Sequence, residues 1–330
     1  MSALHALVSG IVDYAGLYPP ASLPMTEAAS SYDSYRRGPD AFMLGRFVVG
    51  AARLEELAEA ARPLWPEARA GSPWRISALL TDDLAADLRR VERFNAREAG
   101  RAVVDTVEGK AANVPDLDQL RGVVSGGLTL YVEVPLDPDP SPLLAALAVR
   151  STRTKARTGG LSAEAVPSPA ALARFLASCA GLRLPWKATA GLHHPLRSLR
   201  PFTYAPDSPR GVMHGFLNVF VAAALLLAGR IDVPAAESLL REEGGEAFLF
   251  DGDRLLASGH VLEARELRAV RASFAVSFGS CSFAEPVSDL RGLGLLASEA
   301  ASATPSCATR STRRPCREHV SRVIVASWRA

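Results

Sequence analysis

An alternation repeated eight times constrains this chain more than any other feature. Each unit is a short apolar run, a polar or glycine-containing turn, and a segment with helical spacing. "IVDYAGLYPP" precedes "MTEAASSYDSYRR", and "FMLGRFVVG" precedes "ARLEELAEAARPL". "WRISALLTDD" leads into "LAADLRRVERFNAREA", "RAVVDTVEGK" into "VPDLDQLRGVV", and "LTLYVEVPLD" into "SPLLAALAVR". "TRTKARTGG" precedes "SPAALARFLASCAG", "PWKATAGLHH" opens a seventh unit, and "SFAVSFGSCS" precedes "EPVSDLRGLGLL". Strands separated by helices must run parallel, joined by helical crossovers. Eight such units over about 290 residues fit a closed (β/α)8 TIM barrel. An open doubly wound sheet usually has fewer strands, often with a glycine fingerprint after the first, and no GxGxxG follows strand one here.

The seventh unit is too long for a plain repeat. A Pro-rich stretch "RPFTYAPDSPRG", the apolar run Gly215–Gly229 and an Asp-Gly hairpin signal in "EAFLFDGDRLLASG" intervene before "VLEARELRAVRA" returns to the last strand. The expectation is a barrel over 1–296 with an insertion, 197–271, packed over its mouth. Residues 297–330 lose the periodicity and read as a disordered basic tail. Six Arg against two Glu give that tail +4, so the formal net charge of +2 leaves 2 − 4 = −2 for the rest.

That near-neutral balance argues against a nucleic-acid-binding surface. The opening residues lack the basic start and cleavage site of a signal peptide, and the Gly215–Gly229 run falls short of the ~20 residues that span a bilayer. Four cysteines (Cys179, Cys281, Cys307, Cys316) show no CxxC spacing and read as free thiols. The chain is therefore expected to be cytoplasmic, with no membrane and no nucleic-acid partner.

In a barrel of this kind the chemistry sits at the C-terminal ends of the strands. The polar residues expected there are Asp13, Arg46, Asp82, Asp105, Glu108, Lys110, Glu133, Lys155, Arg157, Thr158, Lys187, Thr189, His193, His194 and Ser277, with the loop Gly279–Ser282. The chain has only three lysines, Lys110, Lys155 and Lys187, and all fall at predicted strand ends. Bulk charge is otherwise carried by arginine. Lysine, unlike arginine, can lose its proton and attack a carbonyl. Two amines on neighbouring strands should each lower the other's proton affinity, which nucleophilic work at neutral pH requires. The bland alternative is that Lys155 and Lys187 form buried ion pairs with Asp105 and Glu133.

"TKARTGG" and "WKATAGL" resemble the sixth- and seventh-strand signatures, K-x-x-T-G and K-A-x-G-G-[IL], of deoxyribose-phosphate aldolase-like class I aldolases. "VDYAGLYPPAS", "VVDTVEG", "LYVEVPL" and "SFGSCS" are similar to the first, fourth, fifth and last strand regions of that family. The resemblance implies that Lys155 forms a Schiff base, that Lys187 perturbs it and that Asp105 relays protons. It implies that Gly159, Gly191, Gly279 and Ser280 hold a substrate phosphate on backbone N–H groups. Asp13, Arg46, Glu133, Arg157, Thr158, Thr189, His193 and His194 complete the expected substrate site. Ala190 departs from the family's first glycine at that position, Gly160 replaces an aromatic residue, and Arg157 and the insertion have no counterpart.

Adjacent histidines in an extended segment point opposite ways, so His193 and His194 are read as positioning or acid–base groups rather than metal ligands. Neither a metal nor an organic cofactor is expected. The expected activity is a carbon–carbon lyase acting on a small carbonyl compound, phosphorylated or otherwise anionic. The partner is a small anionic metabolite, and self-association into a homo-oligomer is compatible with the sequence. The alternatives are a cofactor-independent isomerase or epimerase on the same barrel, and a non-catalytic barrel that binds an anionic metabolite.

Overall fold

The computed structural model describes residues 1–65, 72–124, 126–137 and 139–297. The tail expected over 297–330 thus lies outside the described residues, apart from Ala297. After helix α1 (Ala3–Val8), seven strands alternate with helices: β1 (Val12–Tyr14), α2 (Met25–Arg37), β2 (Leu44–Gly50), α3 (Leu54–Ala61), β3 (Trp74–Leu79), α4 (Leu84–Arg97) and β4 (Ala102–Lys110). There follow α5 (Val114–Val123), β5 (Thr129–Val134), α6 (Ser141–Val149), β6 (Arg153–Arg157), α7 (Pro169–Leu182) and β7 (Trp186–Thr189). The insertion holds β8 (Ser198–Pro201), β9 (Arg210–Met213), α8 (Phe216–Leu227), α9 (Val233–Arg241), β10 (Leu249–Asp251), β11 (Arg254–Ala257) and β12 (His260–Glu263). Helix α10 (Ala264–Ser273) returns to β13 (Ala275–Ser280), which is followed by α11 (Ala284–Gly292).

Strands β1 to β7 and β13 close into an eight-stranded parallel barrel, with β13 between β7 and β1. This is the (β/α)8 barrel that the alternation implies. Local chemistry starts the helices. Asp83, Asn113, Ser168 and Asp232 each accept a backbone N–H of the first turn, and proline occupies the first or second position of α5, α7 and α9.

The apolar run becomes α8, and ten of its residues are buried. Phe216 stacks on Phe278 of β13, and Phe220 packs 5.2 Å from Trp186 of β7, while α7 and α9 cover its other faces. A helix covered all round is apolar all round. By length and composition alone the stretch 163–182 could cross a membrane. Within it α7 turns Leu172, Phe175, Leu176 and Cys179 into the core.

The insertion does not sit over the mouth as one body. The hairpin β8–β9 lies there, and Arg200, Phe202, Tyr204 and Met213 line the cavity it covers. Helix α8 serves as the barrel's seventh helix. The Asp-Gly hairpin forms as expected, turning at Gly252 (φ +56°) between β10 and β11. With β12 it makes a separate antiparallel sheet against α1 and α10. None of residues 249–263 lines the cavity. The periodicity marks these elements but carries no information on which end of the barrel each one reaches.

Candidate active site

Lys155 on β6 and Lys187 on β7 are register partners, and both are buried. The two amines are bridged by one carboxylate. Glu108 Oε2 accepts from Lys155 Nζ at 2.9 Å, and its Oε1 accepts from Lys187 Nζ at 2.8 Å. Each lysine has a second carboxylate: Glu133 Oε2 at 2.9 Å from Lys155, and Asp13 Oδ2 at 2.6 Å from Lys187. Ser77 donates to Glu108 at 2.6 Å, and Ser277 donates to Asp13 at 2.7 Å. The other oxygen of Asp13 accepts the Arg46 backbone N–H at 2.8 Å. Gly45 is required there, since a Cβ would lie 2.4 Å from that oxygen.

The two amines differ in their surroundings. Burial acts against charge on Lys187, but Asp13 and Glu108 outweigh it, and its pKa is raised. The mutual lowering expected of paired lysines is thus not what governs Lys187. Glu108 is fully enclosed, which alone would favour its neutral form, yet Lys155 and Lys187 drive its pKa well below the ordinary range. Glu133 is lowered in the same way, against burial, by Lys155 and Arg157. Both carboxylates beside Lys155 are therefore shared with a second cation: Glu108 with Lys187, and Glu133 with Arg157 at 3.1 Å. Asp13 meets only Lys187 as a cation within ion-pair distance among the described residues. Three carboxylates and three cations balance, so a proton passing from Lys155 to Glu108 or Glu133 leaves the cluster neutral.

Asp105 is not part of this cluster, which corrects the role implied by the resemblance. It accepts from Arg46 Nε at 2.6 Å and from Arg75 Nε at 2.7 Å. Phe47 pairs with Ile76 and Arg75 with Val103, so this triad occupies the first half of its strands. Arg46 accordingly does not line the cavity. The cause is local. Ile76 pairs with Val104 but Ser77 with Thr106, so Asp105 is an extra residue in the ladder. The carboxylate that reaches the amines is Glu108, three positions on. It was one of three polar groups at that strand end, and nothing in "VVDTVEGK" marks the bulge that selects it.

The loops after β6 and β7, expected to hold phosphate, pack closely on each other. Gly159 and Gly191 pack backbone to backbone: a Cβ on either would lie 2.7 or 2.6 Å from the other's Cα. Thr158 donates to the Ala190 carbonyl and is buried beneath these loops. Ala190 holds φ +57°, a conformation usually left to glycine. Thr189, Ala190, Gly191 and Gly279 line the cavity. Ser280 donates to the Ser282 carbonyl at 2.7 Å and lies 3.2 Å from His193 Nδ1.

His193 and His194 do not point opposite ways: they lie outside any strand, their rings are 6.3 Å apart, and both reach α11, with Nδ1 of His193 3.0 Å from Glu285 Oε2 and Nδ1 of His194 2.6 Å from Asp289 Oδ2, one turn apart. Burial would raise Glu285, but the His193 hydrogen bond and charge bring it below the ordinary range. Burial lowers His194, with Asp289 acting in the opposite direction. Arg200 lies 3.7 Å from Asp289. Tyr204 Oη lies 3.7 Å from the thiol of Cys281, which burial holds in its protonated form. Glu285, Tyr204 and Arg200 went unnoticed in the sequence because their link to the strand ends is made only by tertiary folding. Among the described residues no cluster of three or more metal-binding side chains occurs.

These groups open onto a cavity of about 820 Å³, lined among others by Lys110, Glu133, Lys155, Arg157, Lys187, His193 and His194. A buried amine beside proton acceptors, at the strand ends of a barrel and facing a cavity, can form and break a carbon–nitrogen bond with a carbonyl. No family model, no curated protein and no solved structure matches this chain.

Proposed function

We propose that the protein is a Schiff-base lyase of the class I aldolase type, with Lys155 as its nucleophile. One observation supports this reading above the rest: Lys155 and Lys187 share Glu108 while, among the described residues, Asp13 has an ion pair only with Lys187. Lys187 is thereby fixed as an ammonium ion, and Lys155, whose two carboxylates are each shared with a second cation, is the less tightly held amine. Lys155 passes a proton to Glu108 or Glu133 and its nitrogen attacks the carbonyl carbon. The carboxylic acid so formed returns that proton to the departing oxygen, and the second proton on nitrogen leaves with it, so water is lost and an imine forms. The nitrogen keeps its third proton, so the imine is an iminium ion, and it draws electrons from the adjacent carbon–carbon bond as the β-hydroxyl gives its proton to the carboxylate of Glu108 or Glu133, which later returns it to the enamine carbon. The aldehyde fragment departs, the enamine is reprotonated on carbon, and water releases the second carbonyl product.

The test is borohydride reduction in the presence of a panel of aldehydes and ketones, with peptide mapping by mass spectrometry. A reduced adduct on Lys155, absent in Lys155→Arg, is expected. No adduct across the panel would overturn the proposal.

The His193–Glu285 pair favours a second reading, an isomerase or epimerase in which a carboxylate-oriented imidazole removes a proton beside a carbonyl. Solvent deuterium entering a carbonyl compound without any trapped adduct would select it.

A further inference from the structure

We infer that the substrate carries an apolar body and no phosphate; this rests on the Schiff-base reading of the same cavity. The polar groups form a floor, and the walls above it differ in kind. One wall, from the ends of β1, β2 and β3, presents Tyr18, Pro20, Val48 and Leu80. The facing wall presents Leu161 from the loop after β6 and Phe202 from the inserted hairpin. A cavity of about 820 Å³ with such walls suits a ligand of drug-like size that buries apolar surface. A three-carbon carbonyl compound would leave most of it filled with water.

Nor does the cavity offer surplus positive charge. Lys110, Lys155, Arg157, Lys187 and Arg200 line it. Against these five stand five carboxylates in or directly behind the lining: Asp13, Glu108, Glu133, Glu285 and Asp289. A phosphate brings about −1.5 to −2 charge and three oxygens that need donors. At the start of the helix behind the last strand, one of the places where a barrel of this kind presents such donors, an N–H is already taken and a carboxylate stands in front. Ser282 Oγ accepts the Glu285 N–H at 3.2 Å, and the Glu285 carboxylate itself faces the cavity from the first turn of α11. An incoming dianion would meet that carboxylate directly. An aryl or branched alkyl group instead meets carbon on both walls while its carbonyl reaches Lys155.

Competition separates the outcomes. Propanal, 3-phenylpropanal and glyceraldehyde 3-phosphate are each trapped with borohydride, and 3-phenylpropionamide, which forms no imine, is tested by thermal shift. The expected result is trapping of 3-phenylpropanal at least tenfold faster than propanal, with the phosphate no faster than propanal. Leu161→Asp, at a half-exposed wall position, should lower the phenyl preference several-fold. Preferential trapping of the phosphate, or equal trapping of all three, overturns the inference. If no aldehyde is trapped but the amide raises the melting temperature and Leu161→Asp abolishes that shift, the apolar site stands and the Schiff-base reading falls. If neither occurs, both fall.

Discussion

The barrel interior holds two ion clusters, one in each half, built with different cations. In the first half of the strands, Asp105 is clasped by Arg46 and Arg75, and Arg153 donates to Tyr131 Oη at 3.1 Å. Lys187 Nζ lies 5.5 Å from the Tyr131 ring, on the other half's side of it. In that second half, lysines meet Asp13, Glu108 and Glu133 beneath an open cavity. Arginine keeps its proton and offers a rigid fork, so a guanidinium cluster is a permanent fixture. A lysine shares its carboxylates through single point contacts and can give its proton away. A chain with three lysines commits two of them to one such cluster, at the end that opens onto the cavity.

The largest effect should come from Lys187→Met. It strands Asp13 and part of Glu108 as uncompensated buried charge, at a cost of about 3–5 kcal/mol near neutral pH. A urea midpoint compared with wild type measures it. The pH dependence sharpens the point. Glu108 and Glu133 have folded-state pKa values below their ordinary 4.5, so their contribution is fully present above that pH and is lost as pH falls through the folded values. Lys187, raised above its ordinary 10.5, contributes below that pH and loses its contribution only as pH rises beyond it. Wild type should therefore weaken on acidification from pH 5 to pH 3. Lys187→Met should weaken less, because the stranded carboxylates are relieved by protonation. Parallel pH profiles would show that the second-half cluster is not coupled as described.

Asp105→Asn comes next. It removes the charge that holds a mostly buried Arg46, at about 1–3 kcal/mol. It should leave borohydride trapping on Lys155 intact, which is the sharpest way to break the comparison between the two halves. Loss of trapping would restore to Asp105 the proton-relay role that the resemblance implies. Ala190→Gly should have the smallest effect, a gain of about 1 kcal/mol from relieving a left-handed alanine, read as a rise in melting temperature. A loss would mean that the methyl group packs usefully in the loop.

The strands were legible because their burial imposes a repeating pattern of residue types. The three lysines were legible because their rarity contrasts with the abundance of arginine. Lys155 and Lys187 in register, with Asp13 and Glu133 beside them, follow from strand order alone once the barrel closes. Glu108 could not be chosen over Asp105, since a one-residue bulge reverses the parity of the strand and leaves no mark in its composition. Glu285 and Asp289 lie some ninety residues from the histidines they hold. The loop glycines were read for the anion they could bind; the close approach of Gly159 and Gly191 to each other, which also requires glycine, left no separate mark in the sequence.

With only three lysines, a ¹⁵N-lysine spectrum reports on each amine separately. The account predicts that reductive trapping of a carbonyl compound shifts one resonance, that of Lys155. The Lys187 resonance should keep its ammonium character from pH 6 to beyond 10.5. An adduct on Lys187, or a Lys187 amine that titrates below the ordinary lysine value, would contradict the division of labour between the two.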